Sequence, residues 1–183
     1  QVAATYGGFN KIVFKTGGEF EVRPILIKKK TLEKLNKNLL LLYTGVKRTA
    51  HNIAKGYVNK LQESKKSHVL EILNFVNEAE KVLKKGDLHN FAKLLHESWL
   101  EKKSLSSSIA NFEINEIYNE AINKGALGGK LLGAGGGGFF LFYVPYSRQR
   151  YFVNHFNKLI TIPFKFSSEG SKIMFKKIDN KIV

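Results

Sequence analysis

Cysteine is absent from the 183 residues, which excludes disulfides and thiolate-bound metals and accords with a cytoplasmic protein. No apolar run approaches the roughly 20 residues of a helical membrane span. The aliphatic stretch NLLLLY is only the size of a strand. The first residues, QVAATYGGFNKIVF, have neither the basic head nor the long apolar segment of a secretory signal, and Gln1 is not an initiator. The chain is therefore expected to begin inside a longer one. A metal site is not expected, because His51, His68, His89, His96 and His155 form no i,i+4 pairing with carboxylates, and His89 and His96 stand two turns apart. Arginine is scarce as well, limited to Arg23, Arg48, Arg148 and Arg150.

Lysine, by contrast, is abundant, and the formal net charge is +15. Such an excess ordinarily points to nucleic acid or an anionic surface. The lysines are scattered over polar helix faces, and most aromatics sit in apolar runs. Base and phosphate readers use arginine forks and exposed rings instead. A basic RNA-binding α+β module without catalysis remains the alternative from a different class, and neither a nucleic-acid nor a membrane partner is expected.

Glycine is concentrated in one place, GALGGKLLGAGGGGFFLFYVP, from Gly125 to Pro145. So many glycines carry an entropic cost, and they persist where the backbone needs positive φ or close approach. A flexible linker would be polar on both sides, and this segment is not. Upstream, Ile114, Ile117, Tyr118, Ala121 and Ile122 recur at helical spacing, with Gly125 as the expected cap. Downstream, FFLFYV predicts a buried strand. GAGGGG satisfies the letters of a dinucleotide fingerprint, but that motif needs a strand before it and a helix after it, and the order here is reversed. Gly129-Lys130 is followed by Leu131, which lacks the hydroxyl of a Walker loop. A hairpin turn with no ligand remains a competing reading.

Elsewhere, KIVF and EFEVRP read as a hairpin around Gly17-Gly18, and KKKTLEKLNKN as a polar bridge between domains. LLLLY follows as a buried strand, and RTAHNIAKGYVNKL as a helix kinked at Gly56. Val69 to Leu83 carry a helical stripe, closed by Gly86 with Asp87 capping the next helix. That helix shows Leu88, Phe91, Ala92, Leu95 and Trp99 on one face and is broken by SLSSSIAN. SRQRYFVNHFNKL predicts a further helix, and ITIPFKFSSEGSKIMFKKI two strands joined at Glu169-Gly170. The interleaving of strands and helices specifies an α+β fold, helices covering one face of a small sheet.

GALGGKLLGAGGGGFFLFYV resembles the third signature of the GHMP kinases, LLLLYTGVKRTAHNI the opening of their C-terminal domain, and QVAATYGGFN the segment that trails their catalytic aspartate. Within the family the resemblance runs closest to kinases of heptose 7-phosphates, through AATYGGFN, YTGVKRTA, HESWLEKKSLSSSIAN and FKFSSEGSKIMF. It implies residues 1–30 as the tail of an N-terminal kinase domain, a hairpin remnant, and 31–183 as a C-terminal domain with a ferredoxin-like sandwich. It implies an ATP-dependent sugar-phosphate kinase with Mg²⁺, phosphorylating a heptose 7-phosphate for surface polysaccharide precursors. Galactokinase-like and mevalonate-type acceptors stand as alternatives. The phosphate loop and the catalytic Asp of the family are not in this sequence, and 125–145 holds no carboxylate. The chain alone is expected to be inactive, with no catalytic residue of its own, its partner being the N-terminal half of the kinase.

The resemblance places Gly133, Gly135, Gly136 and Gly137 at the tip of a loop beside phosphates, where N–H groups of a backbone without Cβ can form an anion nest. Lys130 either adds charge there or faces water. Arg48 and Thr49 stand after a strand at a predicted helix start, suited to the phosphate of a sugar phosphate; a solvent-exposed charge is the plainer reading. Tyr6, Gly7 and Gly8 would lie against the sugar, or form only a tight turn. Lys102, Lys103, Ser107 and Ser108 are candidates for the substrate rim, or a solvated helix end.

Overall fold

The computed structural model describes residues 1–46 and 65–175, with the backbone of 177–178 and 181–182. Arg48, Thr49 and the helix expected across RTAHNIAKGYVNKL lie outside the described residues. Contacts divide the chain into two compact units, residues 1–26 with 165–183, and residues 27–164.

In the first unit, helix α1 (Val2–Tyr6) precedes strand β1 (Asn10–Phe14), which pairs antiparallel with β2 (Phe20–Pro24) in the register Asn10↔Pro24 to Phe14↔Phe20. The hairpin is the expected one, turning through Gly18 at φ 84. Residues 165–183, expected in one domain with 31–164, instead group with the N-terminal segment. Gly8 N–H donates to the Ser167 carbonyl at 2.9 Å, Ser171 N–H to that of Thr5 at 2.9 Å, and the Phe9 and Phe166 rings meet edge to face. Those bonds also displace the expected strand pair: Gly170 packs on the Thr5 backbone, and the only strands after residue 162 are β7 (Lys177–Ile178) and β8 (Lys181–Ile182) among the described residues.

In the second unit, α2 (Lys29–Asn38) runs directly into β3 (Leu39–Tyr43). The polar bridge is thus a helix, anchored by the fully buried Leu35. Then come α3 (Lys66–Lys85), α4 (Leu88–Ser104), α5 (Phe112–Asn123), β4 (Gly128–Leu131), β5 (Phe139–Tyr143), α6 (Tyr146–His155) and β6 (Ile160–Ile162). Gly86 ends α3 in the left-handed region at φ 80, and the Asp87 carboxylate caps α4 by accepting from Asn90 N–H, as the residues predict.

The sheet order is β4-β5-β3-β6, antiparallel throughout. Counted from β3 the order is strand, helices, two strands, helix, strand, the split β-α-β arrangement of ferredoxin-like folds. Register pairs Leu42 and Leu131 with Phe140 from either side. Because side chains alternate across a sheet, these residues share a face with Phe142. Trp99 of α4, Tyr118 of α5 and Phe152 of α6 cover that face in one buried cluster. Aromatic burial of this extent is what holds the layers together.

Candidate functional site

The glycines do not run from helix to strand, as the residues suggested; they form β4 and the loop of a β4–β5 hairpin. Gly128 and Gly129 belong to the strand because neighbours occupy the space of their side chains. A Cβ on Gly128 would lie 1.9 Å from the Ala92 carbonyl oxygen of α4, and one on Gly129 2.3 Å from the Phe142 ring.

Beyond Leu131 the loop has two unlike limbs. Leu132 and Gly133 are exposed and Ala134 half-buried, whereas Gly135, Gly136 and Gly137 are buried. Positive φ persists at Gly133 (73°) and from Gly135 to Gly138 (114°, 73°, 155° and 99°). The buried limb is held on two sides. Gly136 N–H donates to the Ile109 carbonyl at 2.7 Å, and a Cβ on Gly135 would stand 2.8 Å from Ile109 Cα. On the other side, a Cβ on Gly137 would lie 2.5 Å from the Val46 carbonyl oxygen. Of the four glycines expected at an open tip, only Gly133 is exposed. Gly135 and Gly137 are glycines so that backbones can touch.

Thr44, at the end of β3, ties the loop down and was not foreseen. Its hydroxyl donates to the Gly138 carbonyl at 2.9 Å and accepts from the N–H groups of Gly138 at 3.1 Å and Val46 at 3.2 Å. Nothing in a threonine after a strand announces that role; it depends on β3 and β5 being neighbours. Thr44→Val keeps the shape and leaves two N–H groups without their acceptor, so about 1–3 kcal/mol of stability should be lost, read from urea unfolding. An unchanged midpoint would mean that the hydroxyl holds nothing.

The exposed limb is supported from beneath. Lys102 Nζ donates to the carbonyls of Leu131, at 2.9 Å, and Gly133, turning oxygen atoms away from the outer side of the loop. No acceptor among the described residues is bonded to the N–H groups of Gly133, Ala134 and Gly135. Beside the Thr44 anchor lies an open cavity of about 480 Å³, with Thr44, Gly45 and Val46 on one wall and Phe112, Glu113, Glu116 and Ile117 of α5 on the other.

The other foreseen residues fall elsewhere. Lys130 points into a cleft between α3 and α4, its Nζ 3.1 Å from Ser98 Oγ. Lys103 donates to Asn115 Oδ1 at 2.8 Å, and Ser107 and Ser108 are exposed within the 3₁₀ turn 107–109. In the first unit, Gly7 (φ 63) and Gly8 (φ 77) end α1, a Cβ on Gly7 would meet the Glu169 backbone at 2.2 Å, and the Tyr6 ring packs edge-on to Phe20. No cluster of three or more His, Asp or Glu side chains suited to a metal is found among the described residues.

Residues 79–153 match the family described as GHMP kinases C terminal. The chain carries a GHMP kinase C-terminal domain. D-glycero-alpha-D-manno-heptose 7-phosphate kinase of Campylobacter jejuni is 32% identical over 178 residues, 94% of this chain and 52% of that protein. The solved D-glycero-D-manno-heptose 1-phosphate kinase of Bacteroides thetaiotaomicron superposes with a TM-score of 0.61 at 26% identity, covering 94% of this chain and 48% of that one. The fold is shared further with L. major mevalonate kinase, at a TM-score of 0.68 and 20% identity over 90% of this chain and 52% of that one. The chain thus spans about half the length of the relatives it matches. In this GHMP kinase domain the stretch that resembles the family's third signature is the β4–β5 hairpin just described.

Proposed function

We propose that the chain is the C-terminal half of an ATP-dependent kinase that transfers the γ-phosphoryl group to a hydroxyl of a heptose phosphate, a heptose 7-phosphate, in making surface polysaccharide precursors. The observation that supports it is the run of three N–H groups, at Gly133, Ala134 and Gly135, left without acceptors where the exposed limb of an otherwise anchored loop passes into the buried one. Such a run favours phosphate oxygens, and donors fixed in advance need no reorganisation as charge develops during transfer. Gly133 and its neighbours fit a triphosphate in that sense. The cavity beside Thr44 is within the roughly 300–1,000 Å³ typical of small-molecule sites. Glu113 and Glu116 there can accept hydrogen bonds from sugar hydroxyls, and Phe112 offers a ring face to the sugar carbons.

Phosphoryl transfer also needs Mg²⁺ and a group that orients the attacking hydroxyl. The described residues provide no metal-ligand cluster, so no step through Mg²⁺ is assigned to this chain. The chain's part is to position and stabilise, with Arg48 and Thr49 as further candidates for the substrate phosphate. The catalytic aspartate and phosphate loop would come from the N-terminal half.

The test uses the full-length kinase, with ATP and a panel of heptose 7-phosphate, heptose 1-phosphate, galactose and mevalonate. The relatives' names place the phosphate on different carbons, so both heptose phosphates are needed. Turnover is expected with heptose 7-phosphate, and Gly133→Val, which strains the φ of 73 and so turns the N–H group away, should lower kcat by about 10²–10³ with the fold retained. No turnover with any sugar phosphate overturns the proposal; preference for galactose or mevalonate transfers it to those acceptors.

A further inference from the structure

Lys130 is a basic side chain that the loop does not use. β4 directs it away from the hairpin loop into a cleft of about 120 Å³ between α3 and α4, walled by Phe75 and Ala79 on one side and Phe91 and Leu95 on the other. Its Nζ bonds the hydroxyl of Ser98, a side chain only 8% exposed, and forms no ion pair among the described residues. An ammonium taken out of water without an opposite charge is costly, and burial accordingly pushes the Lys130 amine below its ordinary range. Apolar walls beside a single half-buried cation are half of an interaction.

We propose that this cleft binds a small monoanion with a short apolar tail, a short-chain carboxylate, through Lys130 Nζ and Ser98 Oγ. The charge count favours a monoanion, because one ammonium neutralises one carboxylate, whereas a phosphate dianion would bring an uncompensated charge between aromatic walls. The donors fit too. Ser98 Oγ accepts from Lys130 and keeps its own O–H to donate, so a carboxylate can take one bond from each group. Size limits the tail: the cleft has room for roughly four water-sized groups, which suits a carboxylate followed by about three carbons.

The experiment titrates sodium butanoate into the 183-residue chain by calorimetry at constant ionic strength, beside sodium phosphate and butylammonium chloride. Saturable one-to-one binding of butanoate alone is expected. Lys130→Met should weaken it by about tenfold or more, and Ser98→Ala by a few-fold. Should Lys130→Met fail to fold, Ser98→Ala decides. Absence of saturable butanoate binding, affinity unchanged in the deciding variant, or phosphate binding as tightly as butanoate would each overturn the inference. None of these readouts depends on kinase activity, so the cleft stands or falls apart from the proposed reaction.

Discussion

Alanine at position 135 is expected to cost the domain about 3 kcal/mol or more, although it adds a single methyl group. Two penalties coincide there. The backbone is held at φ 114, where an L side chain is strained, and the added Cβ would stand 2.8 Å from Ile109 Cα and 3.0 Å from its carbonyl oxygen. A backbone neighbour cannot swing aside as a side-chain tip can. The limb would have to lift off the 3₁₀ turn, stretching the bond from Gly136 N–H to Ile109. Gly45 separates the two penalties, since it has φ 75 but nothing within 4 Å of its added Cβ. Gly45→Ala should therefore show only the conformational part, about 1–2 kcal/mol. Urea midpoints of the two variants measure the difference. Equal losses would show that the Ile109 contact yields freely and that the buried limb is not held as described.

This pair of glycines also shows where sequence reading stopped. The cluster was legible as a place of positive φ and close approach, and helical periodicity with its caps located α3, α4 and α5. Composition could not say which glycines face solvent. Gly128 and Gly129 resemble loop residues in isolation, and their strand is evident only once α4 and the Phe142 ring are seen occupying the space where side chains would be. α2 looks like a polar bridge in sequence because its apolar content is small, and the burial of Leu35 decides its place. Thr44 left no local trace, because its partner Gly138 lies 94 positions away. Short-range pattern carries periodicity and capping; contacts between distant segments decide which glycine packs and which one is open.

The same long-range packing predicts the largest loss from a side-chain truncation, at Phe140. Its ring is fully buried and lies 5.6 Å from Trp99, 5.7 Å from Tyr118 and 4.9 Å from Phe142, centroid to centroid. These partners come from α4, α5 and β5 itself, so no single element can move to fill the space it leaves. Phe140→Ala is expected to cost about 3–5 kcal/mol, from lost transfer free energy and the cavity together. Phe139, one position earlier on the opposite face, is 36% exposed and meets mainly Tyr43. Phe139→Ala should cost under about 1 kcal/mol. Guanidinium unfolding followed by Trp99 fluorescence tests both, because that indole touches the Phe140 ring and reports the cavity directly. If the two truncations cost the same, the sheet face assigned to the core is wrong, and with it the anchoring of the hairpin that β5 carries.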